Sequence, residues 1–64
     1  MLGRRLAKAR KDARLTQVEL GSRLGVPQKT ISNWESGNNT PSLEYFKKLA
    51  VILEVSADSL LGLS

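Results

Sequence analysis

The 64 residues suffice for one small domain, and we expect residues 1–64 to form a single one. They contain neither cysteine nor histidine, which excludes disulfides, thiol chemistry and the commonest metal ligands, so we expect no metal or cofactor. No apolar run approaches the ~20 residues of a membrane span, and we expect a cytoplasmic chain. The net charge of +4 is concentrated in residues 1–14, where six lysines and arginines face one aspartate, and such a basic segment suits a polyanionic partner.

The first predicted helix runs from Leu2 to about Ala13. Leu2, Leu6, Ala9 and Ala13 recur at helical spacing and predict one apolar stripe that faces the core. The basic residues occupy the other faces, where they either attract phosphates or are ordinary solvated charges. A basic amphipathic helix can also lie on a membrane surface. This stripe is thin and the rest of the chain needs it for its core, so we expect no membrane partner.

Two short helices joined by a tight turn are predicted between residues 16 and 35. Thr16 is a good N-cap, and Glu19, three residues later, completes a capping box. Gly25 can take the left-handed conformation that ends the first of these helices, because it has no Cβ. Pro27 cannot continue that helix, but its fixed φ suits the start of the next one.

The second of these helices has two different faces. At about 100° per residue, Thr30, Ile31 and Trp34 fall on one side, and an aromatic at this spacing usually belongs to the core. The opposite side is polar. Amides can pair with adenine N6 and N7, lysine can donate to guanine O6 and N7, and such a helix fits the major groove. The residues expected to contact base edges are Gln28, Lys29, Ser32 and Asn33.

The sequence resembles the Cro/cI-type, or lambda-repressor-like, helix-turn-helix DNA-binding family over nearly its whole length. The resemblance implies an all-α, compact five-helix domain, with the helix-turn-helix formed by helices 2 and 3 at about residues 16–35. Two residues depart from the family pattern: Gly21 replaces the usual Ala, which should loosen helix 2 by up to ~1 kcal/mol, and Pro27 replaces the usual Ser or Thr cap. The matching residues are Leu15-Thr16-Gln17, Glu19-Leu20, Leu24-Gly25-Val26, Thr30-Ile31-Ser32, Trp34-Glu35, Gly37, Pro41-Ser42-Leu43, Leu49-Ala50, Val55-Ser56 and Asp58-Ser59-Leu60-Leu61-Gly62.

The resemblance also implies contacts with the DNA backbone. Arg10 and Glu35 match a pair that ties the first helix to the recognition helix; the alternative is two ordinary surface charges. Gln17, at a helix N-terminus, is expected beside a phosphate and can brace Gln28. The loop after Glu35 lacks Lys and Arg and is either a phosphate contact or a simple connector. The expected backbone contacts are Arg10, Gln17, Ser36, Asn38 and Thr40.

Two further helices are predicted to complete the domain. Ser42 caps the fourth helix, and Ser56 caps a short fifth helix that Gly62 ends. In the family this end often contributes to a two-fold dimer contact; the alternative is that it only completes the core of one protomer. The expected core stripe of the fourth helix is Leu43, Phe46, Leu49, Ala50 and Leu53, and the expected dimer contacts are Val55, Asp58 and Leu61.

The function implied by the resemblance is a sequence-specific transcriptional regulator, a repressor, that binds double-stranded DNA. We expect a homodimer, at least on DNA, that places helix 3 in the major groove of a (pseudo)palindromic operator. The alternative is a protein-interaction module, such as an antitoxin or a coactivator-like helix-turn-helix protein. The sequence lacks paired carboxylates and a phosphate loop as well as His and Cys, so we expect neither an enzyme nor a small-molecule substrate. The chain can also be one domain of a longer regulator.

Overall fold

A computed structural model of the chain describes residues 2–62, and these form five α-helices and no strand. The prediction of an all-α, five-helix fold is therefore confirmed. The predicted domain also includes residue 1 and residues 63–64, which lie outside the described part of the chain. None of these helices is long and apolar enough to cross a membrane. In chain order they are α1 Leu2–Asp12, α2 Gln17–Leu24, α3 Gln28–Ser36, α4 Leu43–Leu53 and α5 Ala57–Leu61.

The predicted helix caps are present in the structure. In the capping box of α2, the Glu19 amide donates to Thr16 Oγ1 at 3.0 Å, and the Thr16 amide donates to Glu19 Oε1 at 2.8 Å. Gly25 ends α2 in the left-handed conformation, with φ 77°. Ser42 and Ser56 cap α4 and α5, each accepting a hydrogen bond from the amide three residues later. These local signals fix where the helices begin and end.

The end of α1 differs from its prediction by one residue. Arg14, two residues after the last residue of α1, adopts a left-handed conformation, with φ 60°. The amides of Arg14 and Leu15 donate to carbonyls of the last turn of α1 at 2.9 and 3.1 Å, which is the pattern of a Schellman motif. The chain therefore turns away after Asp12, and Ala13, predicted to lie on the core stripe, is exposed.

The core draws apolar residues from all five helices. α3 packs against α2 and α1, α5 packs against α1 and α4, and α4 packs against α2. Burying one of the larger apolar side chains stabilises the fold by about 1.5–3 kcal/mol. The prediction for Leu43 is wrong, because this first residue of α4 lies beyond the packed part of the helix and is 69% exposed. The buried apolar residues are Leu6, Ala9, Leu20, Leu24, Ile31, Trp34, Phe46, Leu49, Leu53 and Leu60.

Two glycines allow backbone segments to approach closely. A Cβ on Gly3 would lie 2.5 Å from the carbonyl oxygen of Glu35, so the bare first turn of α1 packs directly on the end of α3. A Cβ on Gly21 would lie 2.6 Å from the carbonyl oxygen of Val26. Gly21, predicted only to loosen α2, therefore also makes room for the turn that leads into α3.

Candidate nucleic-acid interface

α3 has a buried side and an accessible polar side. Ile31 is 0% exposed and Trp34 is 6% exposed, so both belong to the core, as predicted. Gln28 and Lys29 are exposed, whereas Ser32 and Asn33 are half-buried. The residues predicted to contact bases thus keep accessible surface while Ile31 and Trp34 anchor the helix from the other side.

The N-terminus of α3 carries no side-chain cap. Pro27 occupies the N-cap position in an extended conformation and makes no side-chain hydrogen bond, as its chemistry requires. The amide of Thr30 donates to the carbonyl of Pro27, three residues earlier, at 3.0 Å. The earlier amides of α3 therefore remain available to an acceptor outside the domain.

A chain of side-chain hydrogen bonds joins α3 to α2 and α1. Gln28 Nε2 donates to Gln17 Oε1 at 3.3 Å, and Gln17 Nε2 donates to Glu35 Oε1 at 3.1 Å. The same carboxylate accepts from Arg10 Nε at 2.6 Å and from Arg10 Nη2 at 3.0 Å. Arg10 Nη1 donates to the carbonyl of Leu15 at 2.9 Å. The expected brace between Gln17 and Gln28 is therefore present, and it orients the first residue of α3.

The predicted ion pair between Arg10 and Glu35 is confirmed, and it is nearly buried. Their side chains are 11% and 8% exposed, so they are not ordinary surface charges. The hydrogen bonds to Glu35 raise the pKa of Arg10, while burial opposes this shift. Most of the guanidinium is engaged within the fold, so the main role of Arg10 is to tie α1 to α3 and to the turn that precedes α2. Its phosphate contact, which stays a prediction, would use the remaining N–H groups.

The loop from residue 37 to residue 42 folds back onto the last turn of α3. Ser36 Oγ and the amide of Asn39 both donate to the carbonyl of Asn33, each at 3.2 Å. Ser36, Asn38 and Thr40 are exposed. The hydroxyl proton of Ser36 is already engaged, whereas the side chains of Asn38 and Thr40 make no hydrogen bond within residues 2–62. Asn38 and Thr40 are therefore the better donors to a phosphate in this loop.

The residues predicted to form a dimer contact lie in the turn between α4 and α5 and in α5 itself. Val55 is half-buried and packs against the core of its own protomer. This packing agrees with the alternative that this end of the chain only completes that core. Asp58 is exposed, and Leu61 is 50% exposed. The apolar surface that this region leaves uncovered is thus mainly that of Leu61.

Two contributions to this interface carried no signal in the sequence. The carbonyl of Leu15 holds Arg10 in place, and Gly3 allows α1 to approach the end of α3. The approach of Gly3 depends on the packing of α1 on α3, which are distant along the chain. The Leu15 carbonyl lies only five residues after Arg10, but it is a main-chain group that any residue would supply. Neither a main-chain acceptor nor a single glycine near a helix start marks such a contact in one sequence.

Five helices, a tight turn between α2 and α3, and an accessible polar side on α3 define a helix-turn-helix domain. The chain belongs to the helix-turn-helix family, whose family model matches residues 6–60. The family resemblance noted in the sequence is thereby confirmed.

Similarity to individual proteins extends over most of the chain. It is 36% identical over 58 residues to the cryptic phage CTXphi transcriptional repressor RstR of Vibrio cholerae serotype O1, covering 91% of this chain and 52% of that protein. It is 38% identical over 61 residues to the HTH-type transcriptional regulator ImmR of Bacillus subtilis, covering 95% and 48%. The chain therefore spans about half the length of the curated relatives it matches. These relatives are named as regulators, in agreement with the expectation that the chain is not an enzyme.

A solved structure shares the fold. The chain resembles SinR, described as the master regulator for biofilm formation, in its crystal structure in complex with DNA. The TM-score is 0.86 with 32% sequence identity, and the match covers 95% of this chain and 98% of that one.

Proposed function

We propose that the chain is a sequence-specific transcriptional regulator, a repressor, that binds double-stranded DNA with α3 in the major groove. The observation that carries this proposal is the accessible polar side of α3, opposite the buried Ile31 and Trp34. The similarity to a transcriptional repressor and to a regulator solved with DNA supports it. Base edges are contacted by Gln28, Lys29, Ser32 and Asn33.

The register of α3 on the duplex is set by contacts to phosphates. Gln17 lies at the start of α2, where free backbone amides favour an anion, and its side chain braces Gln28. Asn38 and Thr40 offer exposed polar side chains from the loop after α3. Ser36 and Arg10 contribute less, because hydrogen bonds within the fold already engage them.

The regulator binds as a homodimer to a (pseudo)palindromic operator. Two copies of α3 are then placed roughly 34 Å apart, on half-sites about one helical turn apart. The dimer contact includes Val55, Asp58 and Leu61. Such a regulator works in the compartment that holds the DNA, so we include the cytoplasmic location in the proposal.

The proposal is tested by selecting duplexes from a random-sequence library and measuring variants on the selected site. Asn33→Ala is expected to cost about 1–3 kcal/mol of binding free energy at that site and to relax base choice at one position. Asn38→Ala is a matched control, because it makes the same change at a predicted backbone contact. It should weaken binding to selected and unselected duplexes alike.

Two outcomes would contradict the proposal. If Asn33→Ala binds the selected duplex as tightly as the parent and with the same base preference, α3 does not contact bases through this amide. If the library yields no enriched sequence and the chain instead retains one stoichiometric protein from a DNA-free extract, the protein-interaction alternative replaces DNA binding.

A further inference from the structure

The six cations of residues 1–14 lie in different surroundings. Arg10 is engaged with Glu35, and Lys8 Nζ lies 3.0 Å from Asp12 Oδ2. The guanidinium of Arg5 lies against Gly62, at the end of α5. Arg4 is exposed and makes no ion pair within residues 2–62. Neighbouring residues of one helix therefore face different parts of the domain.

Arg4 lines a groove between the first turn of α1 and the loop that follows α3. Gly3 allows the first turn of α1 to approach the end of α3, from which this loop starts, since an added Cβ would lie only 2.5 Å from the Glu35 carbonyl oxygen. Ser36, Asn39 and Thr40 line the opposite wall of the groove. The structure thus places the guanidinium of Arg4 beside the loop that is predicted to contact the DNA backbone.

The charges of this groove favour an anion. Residues 37–42 contain no lysine or arginine, so this loop has no cation of its own. Glu35 also lines the groove, but its carboxylate is paired with Arg10 at 2.6 Å and 3.0 Å. Among the residues that line the groove, the charge left without a partner is that of Arg4. A guanidinium suits a phosphate, because it can donate two parallel hydrogen bonds.

We propose that Arg4 and Thr40 form a phosphate-binding site for the DNA backbone, in which α1 supplies the cation that the loop after α3 lacks. This inference rests on the proposed function. The proposed site adds a phosphate contact made by α1 to the phosphate contacts proposed for α2 and for the loop after α3. It also assigns a role to one member of a basic segment whose charge pattern alone did not distinguish phosphate attraction from solvation.

The test compares two arginines that are adjacent in α1. The dissociation constant of the parent, Arg4→Gln and Arg5→Gln is measured on a mixed-sequence duplex at several salt concentrations. Each phosphate neutralised by the protein contributes about 0.9 to the slope of log K against log salt. Arg4→Gln should lower the magnitude of the slope by about 0.9, whereas Arg5→Gln, whose side chain lies at α5, should leave it unchanged. Arg4→Lys should keep the parent slope, because it keeps the charge.

The outcomes separate this inference from the proposed function. If the parent does not bind the duplex at all, the proposed function fails and the phosphate site fails with it. If the parent binds but Arg4→Gln keeps its slope, only the phosphate site is overturned. Equal loss of slope in Arg4→Gln and Arg5→Gln also overturns it, because the charge of α1 then acts as a whole. Thermal melting of both variants, with parent-like midpoints expected for exposed side chains, shows that each is folded.

Discussion

Two ion pairs that involve α1 show how burial changes the effect of an ion pair on stability. The Lys8–Asp12 pair spans 3.0 Å, but its side chains are 78% and 67% exposed. The Arg10–Glu35 pair spans 2.6 Å, and its side chains are only 11% and 8% exposed. Removing one partner of a buried pair leaves the other charge without compensation in a poorly solvated place, whereas an exposed charge is solvated by water. Removing one partner of the Arg10–Glu35 pair should therefore cost more stability than removing one partner of the Lys8–Asp12 pair.

Glu35→Gln and Asp12→Asn form a matched pair of variants, because each replaces a carboxylate by its amide. We expect Glu35→Gln to lower the free energy of unfolding by about 3 kcal/mol, since the charge of Arg10 is then uncompensated. Asp12→Asn should change it by less than about 1 kcal/mol. Urea denaturation followed by circular dichroism measures both. Similar losses in the two variants would mean that burial of the Arg10–Glu35 pair has no energetic consequence.

At the scale of one element, the first turn of α2 contains Glu19, whose contribution to stability should depend on pH. Hydrogen bonds from the backbone and then from the hydroxyl of Thr16 lower the pKa of Glu19 below its ordinary value of 4.5. A group whose pKa is lower in the folded state than in the unfolded state stabilises the fold above its unfolded pKa. This stabilisation is lost as the pH falls through the folded pKa. The capping box should therefore weaken in acid.

Glu19→Gln tests this linkage, because glutamine keeps an acceptor for the Thr16 amide but carries no charge. We expect the parent to have the higher melting temperature at neutral pH and the difference to shrink as the pH falls below 4.5, the ordinary pKa of Glu19. The other carboxylates titrate in both proteins, so their effects cancel in the difference. Melting curves recorded by circular dichroism at a series of pH values give the result. A difference that does not change with pH would contradict a role for the charge.

The helices were predictable from the sequence because their ends depend on neighbouring residues. Thr16, Ser42 and Ser56 occupy the predicted caps, and the apolar spacing of α3 identified Ile31 and Trp34 as core. The errors occur where the stripe reaches a helix end. Ala13 follows the last turn of α1 and Leu43 begins α4, and periodicity alone does not show where the packed neighbour stops.

At the scale of the whole molecule, the contacts that could not be predicted are those between elements distant in sequence. Sequence spacing placed Gln28 and Asn33 on a polar side, and the family resemblance paired Arg10 with Glu35. The approach of Gly3 to α3, and hence the position of Arg4 beside the loop, depends on how α1 crosses α3. That crossing is set by side-chain packing over the whole core rather than by any local motif.

The proposed dimer also belongs to this scale, and Leu61 provides its test. Leu61, in α5, is 50% exposed, whereas Val51, in α4 beside Arg23 and Lys47, is 76% exposed. Covering the exposed part of Leu61 in both protomers would contribute about 2 kcal/mol to association. Leu61→Gln should therefore weaken dimerisation about thirtyfold, and Val51→Gln should not. Sedimentation equilibrium measures the dimer directly.

Binding to duplexes with one or two half-sites distinguishes a dimer contact from a defect in the DNA-binding surface. Leu61→Gln should lose affinity for the duplex with two half-sites and keep the parent affinity for a single half-site, because α3 itself is unchanged. Val51→Gln, although it removes a more exposed apolar side chain, should match the parent on both duplexes. If Leu61→Gln retains cooperative binding to two half-sites, α5 lies outside the contact, and the two copies of α3 must be spaced by a different surface of the domain.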